Sequence, residues 1–465
     1  MTDHRRKTGY GRSHKRMRRS GSVLPVIFAV LLVLLILALL VFGLFPDAWR
    51  KTKEYGSAAL QSVGITQKQD PASVMPETVR PEARSREEET EAQVITVVRP
   101  TEPEPETEAP PKYTENENTK RIRREPDPDS VESIEAAVPG QEPAPLTFTF
   151  AGDILFDDRY AVMASWLQRA GGTAELKNVF DDGLIARMRQ ADVFMVNNEF
   201  PYSGGGAPLE NKKFTFRADP AAAKILTAMG ADIVSLANNH LYDYGEEALL
   251  DTLETLKQEG IPYVGAGKDL EEASRPFYFT NGEVKIGIVC ATQIERLANP
   301  DTRGATETSA GVFRCLNSEN LTDTIRQMKT ECDLVIAYLH WGTESTENID
   351  EHQKKLAKAV AEAGADLIIG DHPHVLQKIA YVDGVPVVYS LGNYLFNSGA
   401  QDTCLVTAYI DPQTGRLQRL QFVPARQAGC RTTLLEGEEK ARVLDYMRSL
   451  GGAQYDEDGF VTPAE

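Results

Sequence analysis

The sequence predicts an α/β fold for residues 146–465, and two observations predict it. After Pro145 the chain alternates short β-branched runs with amphipathic stretches of helical period, the texture of an α/β domain. Five of the strand-like runs also end in a metal-ligating or acid–base side chain. LTFTF leads to Asp153, DVFMV to Glu199, DIVSLA to Asn239 and His240, DLVIAYL to His340, and DLIIG to His372 and His374. Ligands of α/β folds gather at the carboxyl ends of parallel strands, so these five ends predict one convergent metal centre.

Taken in order, the chain opens with a basic tail over residues 1–22, in which Arg5, Arg6, Lys7, Arg12, Lys15, Arg16, Arg18 and Arg19 face a lone Asp3. Val23 to Phe45 is an uninterrupted apolar run. At a rise of about 1.5 Å per residue it spans a hydrocarbon core of about 30 Å, so it reads as a transmembrane helix. A cleaved signal peptide would have a shorter apolar core and a small-residue cleavage site, whereas Phe45-Pro46-Asp47 closes this run. The positive-inside rule then predicts a single-pass protein of the cell membrane, with its amino terminus in the cytoplasm and everything after Phe45 extracellular.

Residues 46–145 are rich in Glu, Pro, Thr and Arg, as in SREEETEAQ and TEPEPETEAPPKYTENENTK, with little periodic hydrophobicity. Such a segment buries too little apolar surface to offset ordering and is expected to be a disordered stalk. Residues 146–400 carry the main domain. Its helices are expected at Phe180 to Gln190, Tyr244 to Glu259, Ser318 to Thr330 and Ile349 to Ala363, with further strands at Ile261 to Val264, Val284 to Val289 and Pro386 to Tyr389. Residues 401–465 read as an antiparallel hairpin and a helix near Glu438 to Leu450 that complete the same domain.

The 68 acidic residues against 50 Lys and Arg leave a formal charge of −18, and the basic share is concentrated before the membrane run, which argues against nucleic acid as a partner. Five widely spaced cysteines without a C-x-x-C pair signal neither a disulfide scaffold nor a thiolate zinc site.

Within the constellation, Asp153 follows Gly152 and Glu199 precedes a Gly-rich loop; either carboxylate alone could cap a turn, so their weight comes from the other sites. SLANNHLYDYG is sharper, because an amide oxygen ligates hard divalent ions and the neighbouring His240 can donate a proton. Asp243 in the same segment is a candidate partner for that chemistry or a helix cap. LHWGTE places His340 and Glu344 around an aromatic residue. In GDHPHVLQ, His372 and His374 would point the same way on an extended segment, with Pro373 fixing the backbone between them. Four of the seven histidines occur at these strand ends, which points to metal binding.

In that order, AGDILF, NNEFP, LANNHLYDYG, LHWGTE, GDHPHVLQ and YSLGNYLF resemble the capsule-synthesis CapA family, which includes PgsA-like poly-γ-glutamate synthesis proteins, within the calcineurin-like metallophosphatase superfamily. The resemblance covers about Leu146 to Asn397. It implies a β-sandwich flanked by helices and two divalent ions; N/O sites of this kind accept manganese, iron or zinc. Asp153 and His374 would hold one ion, Asn239, His340 and His372 the other, Glu199 would bridge them, and His240 would donate a proton to a leaving group. Two departures stand out: Asp153-Ile154-Leu155 replaces the superfamily's Asp-x-His, so one site lacks a nitrogen ligand, and a glutamate replaces the bridging aspartate.

The function these expectations support is metal-dependent hydrolysis or transfer on a surface polymer or its carrier, in capsule or poly-γ-glutamate biosynthesis and export, with His240, Asp243 and Glu344 as catalytic candidates. The rival is a non-catalytic assembly factor that binds anionic polymer beside membrane-bound synthase subunits. A zinc amidohydrolase fits less well, since its His-x-His follows the first barrel strand. Lys212, Lys213 and Arg217 form a candidate basic patch for a polyanion.

Overall fold

The computed structural model describes residues 116–122, 143–169, 175–294 and 302–464. The predicted basic tail, transmembrane helix and most of the stalk lie outside them. Among the described residues no helix is long and apolar enough to cross a membrane.

Two mixed sheets pack face to face. In the first, Leu146–Ile154, Val193–Asn198 and Ile233–Ser235 run parallel, and Gln401–Ile410 followed by Leu417–Gln427 extends the sheet antiparallel from the Leu146–Ile154 side. In the second, Val284–Thr292, Leu334–His340, Leu367–Asp371 and Val385–Val388 run parallel, bordered by antiparallel Phe277–Asn281 and Ile379–Val382.

The period-2 alternation of the strands explains the layering. Phe148, Phe150 and Met195 of the first sheet meet Ile286, Ile288, Leu334 and Ile336 of the second in a core between the sheets. The alternate residues face helices instead. Phe194, Val196 and Val234 pack with residues of Ala161–Arg169, Asp182–Gln190 and Gly245–Gln258. Val335, Ala337 and Leu339 pack with Glu319–Lys329 and Glu351–Ala363. The architecture is thus helix, sheet, sheet, helix, and the parallel strands are mostly apolar because both faces are covered.

Two helices start slightly later than hydrophobic periodicity alone suggests, because acidic caps set them. Asp181 accepts from the Leu184 amide at 2.8 Å and opens Asp182–Gln190. Asp350 and Gln353 form a reciprocal capping box for Glu351–Ala363, which ends at Gly364 in the left-handed region. After Gly437–Ser449 the chain adds an antiparallel pair, Ala453–Tyr455 with Phe460–Pro463, which pairs in turn with Leu417–Gln427. The sequence pattern gives no sign of this pair.

Part of the expected stalk is ordered. Thr119–Arg121 lies parallel to Phe277–Asn281 at the edge of the second sheet, with Thr119 opposite Tyr278 and Arg121 opposite Thr280. Edge pairing uses backbone hydrogen bonds and requires no periodic hydrophobicity, so composition does not reveal it. Glu117 pairs with Arg275 at 2.7 Å, Lys120 with Asp232 at 3.1 Å, and Ile122 is buried. The exposed ion pairs contribute little, whereas burial of Ile122 is worth roughly 1.5–3 kcal/mol. A protein starting at Leu146 is therefore expected to be less stable in urea than one starting near residue 113, by about that amount, and more prone to self-associate. Equal midpoints and equal monodispersity would show that the edge strand contributes nothing.

Candidate metal centre

The carboxyl ends of both parallel sets meet at one place. Leu146–Ile154 delivers Asp153, Val193–Asn198 is followed by Glu199, and Ile233–Ser235 leads into Asn238, Asn239 and His240. From the facing sheet come His340 and Asp371, each the last residue of its strand, and then His372 and His374. Apart from Glu344, which is exposed, every sequence-predicted site residue is buried.

Two local features set the geometry. A Cβ on Gly152 would lie 1.8 Å from the Gly392 carbonyl oxygen, so only glycine lets the Gly392–Asn393 backbone approach Asp153 this closely. The His372–His374 segment is not extended, contrary to the sequence expectation. His372 and His374 have φ of 91° and 59°, in the left-handed region that non-glycine residues seldom adopt. The turn through Pro373, with the His374 carbonyl accepting from Gln401 Nε2 at 2.9 Å, brings the two rings to 5.7 Å between centroids. Strain of this kind persists only where surrounding structure fixes it, and it gathers at functional sites.

Around His340, Nε2 lies 2.7 Å from Asn239 Oδ1, 3.0 Å from His372 Nδ1 and 3.6 Å from Glu199 Oε1, while Nδ1 is 2.8 Å from Asp371 Oδ1. His374 Nδ1 lies 3.1 Å from Asp153 Oδ2, and Asn197 Nδ2 donates to Asp153 Oδ1 at 2.8 Å. Potential ligand atoms group as Glu199, His340 and His372, and again as Asp153, Glu199 and His374, with those of each group within 4.8 Å of one another. Glu199 belongs to both groups, the position the resemblance implies for a bridging ligand. A further group joins Glu344 to His372 and His374, so this exposed carboxylate sits at the rim beside the donors.

The donors fit divalent cations on two counts. Both Glu199 oxygens are buried without a hydrogen-bond partner, an arrangement that costs free energy unless a cation or proton satisfies them. The donor set itself, carboxylate and amide oxygens with imidazole nitrogens, suits first-row divalent ions.

The charges reflect the same crowding. Burial, reinforced by Asp153 and Asp371, pushes the Glu199 carboxyl well above the ordinary range, and burial with Asp153 does the same to Asp371. Burial also raises Asp153, but the hydrogen bond and charge of His374 outweigh it and hold Asp153 low. Burial depresses His340 to about 3, so it is a neutral imidazole at physiological pH. Burial opposes protonation of His374, yet its bond to Asp153 wins and raises it.

A stability prediction follows for metal-free protein. Glu199, Asp371 and His374 have raised folded pKa values, so the native state holds protons that the unfolded chain has released, and their stabilisation is lost as pH rises. The depressed His340 works in the opposite sense, but only up to its unfolded value of 6.5. Above pH 6.5 the melting midpoint of chelator-treated protein should therefore fall with rising pH, and an added divalent ion should reduce the slope. A midpoint that climbs between pH 6.5 and 8.5 without metal would contradict this assignment of charges.

Beside the donors, His240 Nδ1 is 2.7 Å from Asp243 Oδ2 and Nε2 is 4.0 Å from Glu199 Oε1. The Phe216 ring lies 4.3 Å from the imidazole between centroids. Burial lifts Asp243 to about 7 against the opposing effect of Lys212. Asp243 thus contacts the His240 ring on the side away from Glu199. Lys212 does not belong to a surface patch as the sequence suggested. Its side chain is 4% exposed and reaches Asp243 and the Asn239 carbonyl. Nor does Arg217 reach outward freely: its guanidinium lies over the Tyr244 ring and donates to the Gly205 carbonyl.

Sequence reasoning missed Asp371, Asn393, Asn197 and Asn238 as members of the site. Asn238 Oδ1 accepts from the His240 and Leu241 amides, and its Nδ2 donates to Asn197 Oδ1 at 3.1 Å, which ties two strand ends together. Asp371 immediately precedes His372 and Asn393 lies in YSLGNYLF, so both were inside recognised motifs without an assigned part.

The chain is similar to known proteins. The chain is 32% identical over 216 residues to the PGA biosynthesis protein CapA of Bacillus subtilis, covering 45% of this chain and 55% of that protein. It is 28% identical over 299 residues to the capsule biosynthesis protein CapA of Bacillus anthracis, covering 60% of this chain and 68% of that protein. A solved phosphatase from Mycoplasma pneumoniae superimposes with a TM-score of 0.38 at 15% identity, over 61% of this chain and 95% of that one, a likeness too distant to carry function. Residues 147–398, which include every candidate ligand, match the family described as bacterial capsule synthesis protein PGA_cap, and the chain belongs to that family.

Proposed function

We propose that this chain is a membrane-anchored, extracellular, metal-dependent hydrolase or transferase of the metallophosphatase type, acting on a capsule polymer such as poly-γ-glutamate or on its carrier. The capsule role rests on family membership and on the names of the two Bacillus relatives. The observation that carries the catalytic reading is His240, a buried imidazole oriented by Asp243 beside the donor cluster. Binding of an anionic polymer would not call for an oriented proton donor.

Asp153, His374 and Glu199 would hold one divalent ion, and Glu199, Asn239, His340 and His372 another. When bound, such ions supply Lewis-acid polarisation of a phosphate or carboxylate oxygen. The chain's own contribution is then orientation and proton transfer. Asp243 accepts from Nδ1 of His240, which leaves Nε2 facing the cluster to give a proton to a departing group. Phe216 covers the ring and limits access of water. Glu344, at the open rim, is placed to meet substrate rather than to transfer a proton from the buried side.

The assembly-factor reading draws on Leu155, which stands where the resemblance implies a histidine ligand. Full-length protein in detergent, reconstituted with manganese or zinc and screened against phosphomonoesters, phosphodiesters and γ-glutamyl peptides, separates the two. Metal-dependent turnover that is lost on chelation supports the enzyme; stoichiometric metal with no turnover on any class supports the assembly factor. The proposed topology is tested on cells stripped of their wall, where added protease should degrade the domain without lysis.

A further inference from the structure

The geometry points to Asn393 as an additional metal ligand in the group formed with Asp153 and His374. This rests on the metal-centre reading above. Leu155 is fully buried in the core on the helix side of the first sheet and is not among the site's donors. Asn393 instead is 1% exposed and sits directly opposite Asp153 in the parallel pairing of the short strand Asn393–Leu395 with Leu146–Ile154.

Its Oδ1 lies 2.8 Å from His374 Nδ1, the same nitrogen that lies 3.1 Å from Asp153 Oδ2. Two donors bound to one ion at about 2.0–2.2 Å are separated by about 3 Å, so both distances equal edges of a coordination polyhedron. The other group shows the same pattern: His340 Nε2 is 2.7 Å from the amide oxygen of Asn239 and 3.0 Å from His372 Nδ1. Each group thus contains an amide oxygen, at least one imidazole nitrogen and the shared Glu199. An amide oxygen is a hard donor suited to a divalent ion, so Asn393 adds an oxygen donor to the group of Asp153, Glu199 and His374.

The sequence devices around Asn393 exist to bring it there. Gly152 has no Cβ to collide with the Gly392 carbonyl, and Gly392 adopts φ of 69° with the Leu376 amide nitrogen 3.3 Å from where a Cβ would sit. The Asp153 amide donates to the Gly392 carbonyl at 3.3 Å, which fixes the two backbones side by side.

The rival is that Asn393 only accepts the His374 Nδ1–H and orients the ring. Cobalt(II) titration of chelator-treated full-length protein distinguishes the two, with circular dichroism as a check on folding. Asn393→Leu should weaken one cobalt equivalent at least tenfold and leave the other. Asn393→Asp should retain binding but shift the cobalt d–d absorption bands, because the coordinating oxygen becomes a carboxylate. If Asn393→Leu fails to fold, the Asn393→Asp spectrum decides. Wild-type affinity in Asn393→Leu, or a cobalt spectrum unchanged in Asn393→Asp, would overturn the assignment and leave Asn393 an orienting residue. Absence of cobalt binding by the wild type would instead remove the metal-centre reading itself, and this inference with it.

Discussion

Replacing His340 and His372 together by alanine is expected to abolish stoichiometric binding at the group they share with Glu199 and Asn239. Both imidazoles lie at the end of or just beyond buried strands, and the distances of 3.0 Å between them and 2.7 Å to Asn239 make them the two nitrogen donors of that group. Loss of an outer-shell partner alone typically costs 10–100-fold in metal affinity, so removal of two direct donors should exceed that. The cost to the fold is smaller, because the surrounding strands are held by the apolar layers on either face and not by the imidazoles. His340→Ala does leave Asp371 without its ring partner, and Asp371 is already pushed toward the neutral form. Metal content by elemental analysis, beside a melting curve in chelator, reads both effects. Full metal occupancy in the double variant would remove these histidines from the centre.

The strands and the site differ in how far they could be read from sequence. Leu334–His340 and Leu367–Asp371 are continuous apolar runs because helices cover one face and the opposite sheet the other, and such runs are legible without any tertiary information. Candidate donors at strand ends inherit that legibility, so Asp153, Glu199, Asn239, His340, His372 and His374 could be singled out from the sequence, and the fold brings them together. What could not be read was set by contacts distant in sequence. Lys212 has the composition of a surface patch, yet it is buried on Asp243 because the loop carrying it folds over His240. Thr119–Arg121 lies in a polar segment and is ordered only by the open edge of a strand more than 150 residues away. His372 and His374 sit in left-handed conformations that non-glycine residues seldom adopt, and the turn that results from them cannot be inferred from the alternation of side chains on a strand.

His240→Asn addresses the step from binding to chemistry and is expected to have the largest effect on output. His240 appears in none of the ligand groups, and its Nδ1 is committed to Asp243 at 2.7 Å, so the substitution should leave metal content unchanged. An asparagine also retains polarity against the Phe216 ring and keeps the backbone amide bonded to Asn238 Oδ1 at 3.0 Å, which protects the loop. What it cannot do is release a proton near neutral pH. General acid catalysis typically contributes about 10²–10⁴-fold, so an enzyme should lose most of its turnover. Asp243→Asn is the companion variant: it alters the partner of Nδ1 without touching the donor itself and should lower the rate while shifting its pH profile. Polymer yield is read from cells with wild-type levels of the protein and of its metal. If His240→Asn supports wild-type yield, proton donation is not part of the function, and the centre serves to bind anionic polymer beside its synthase.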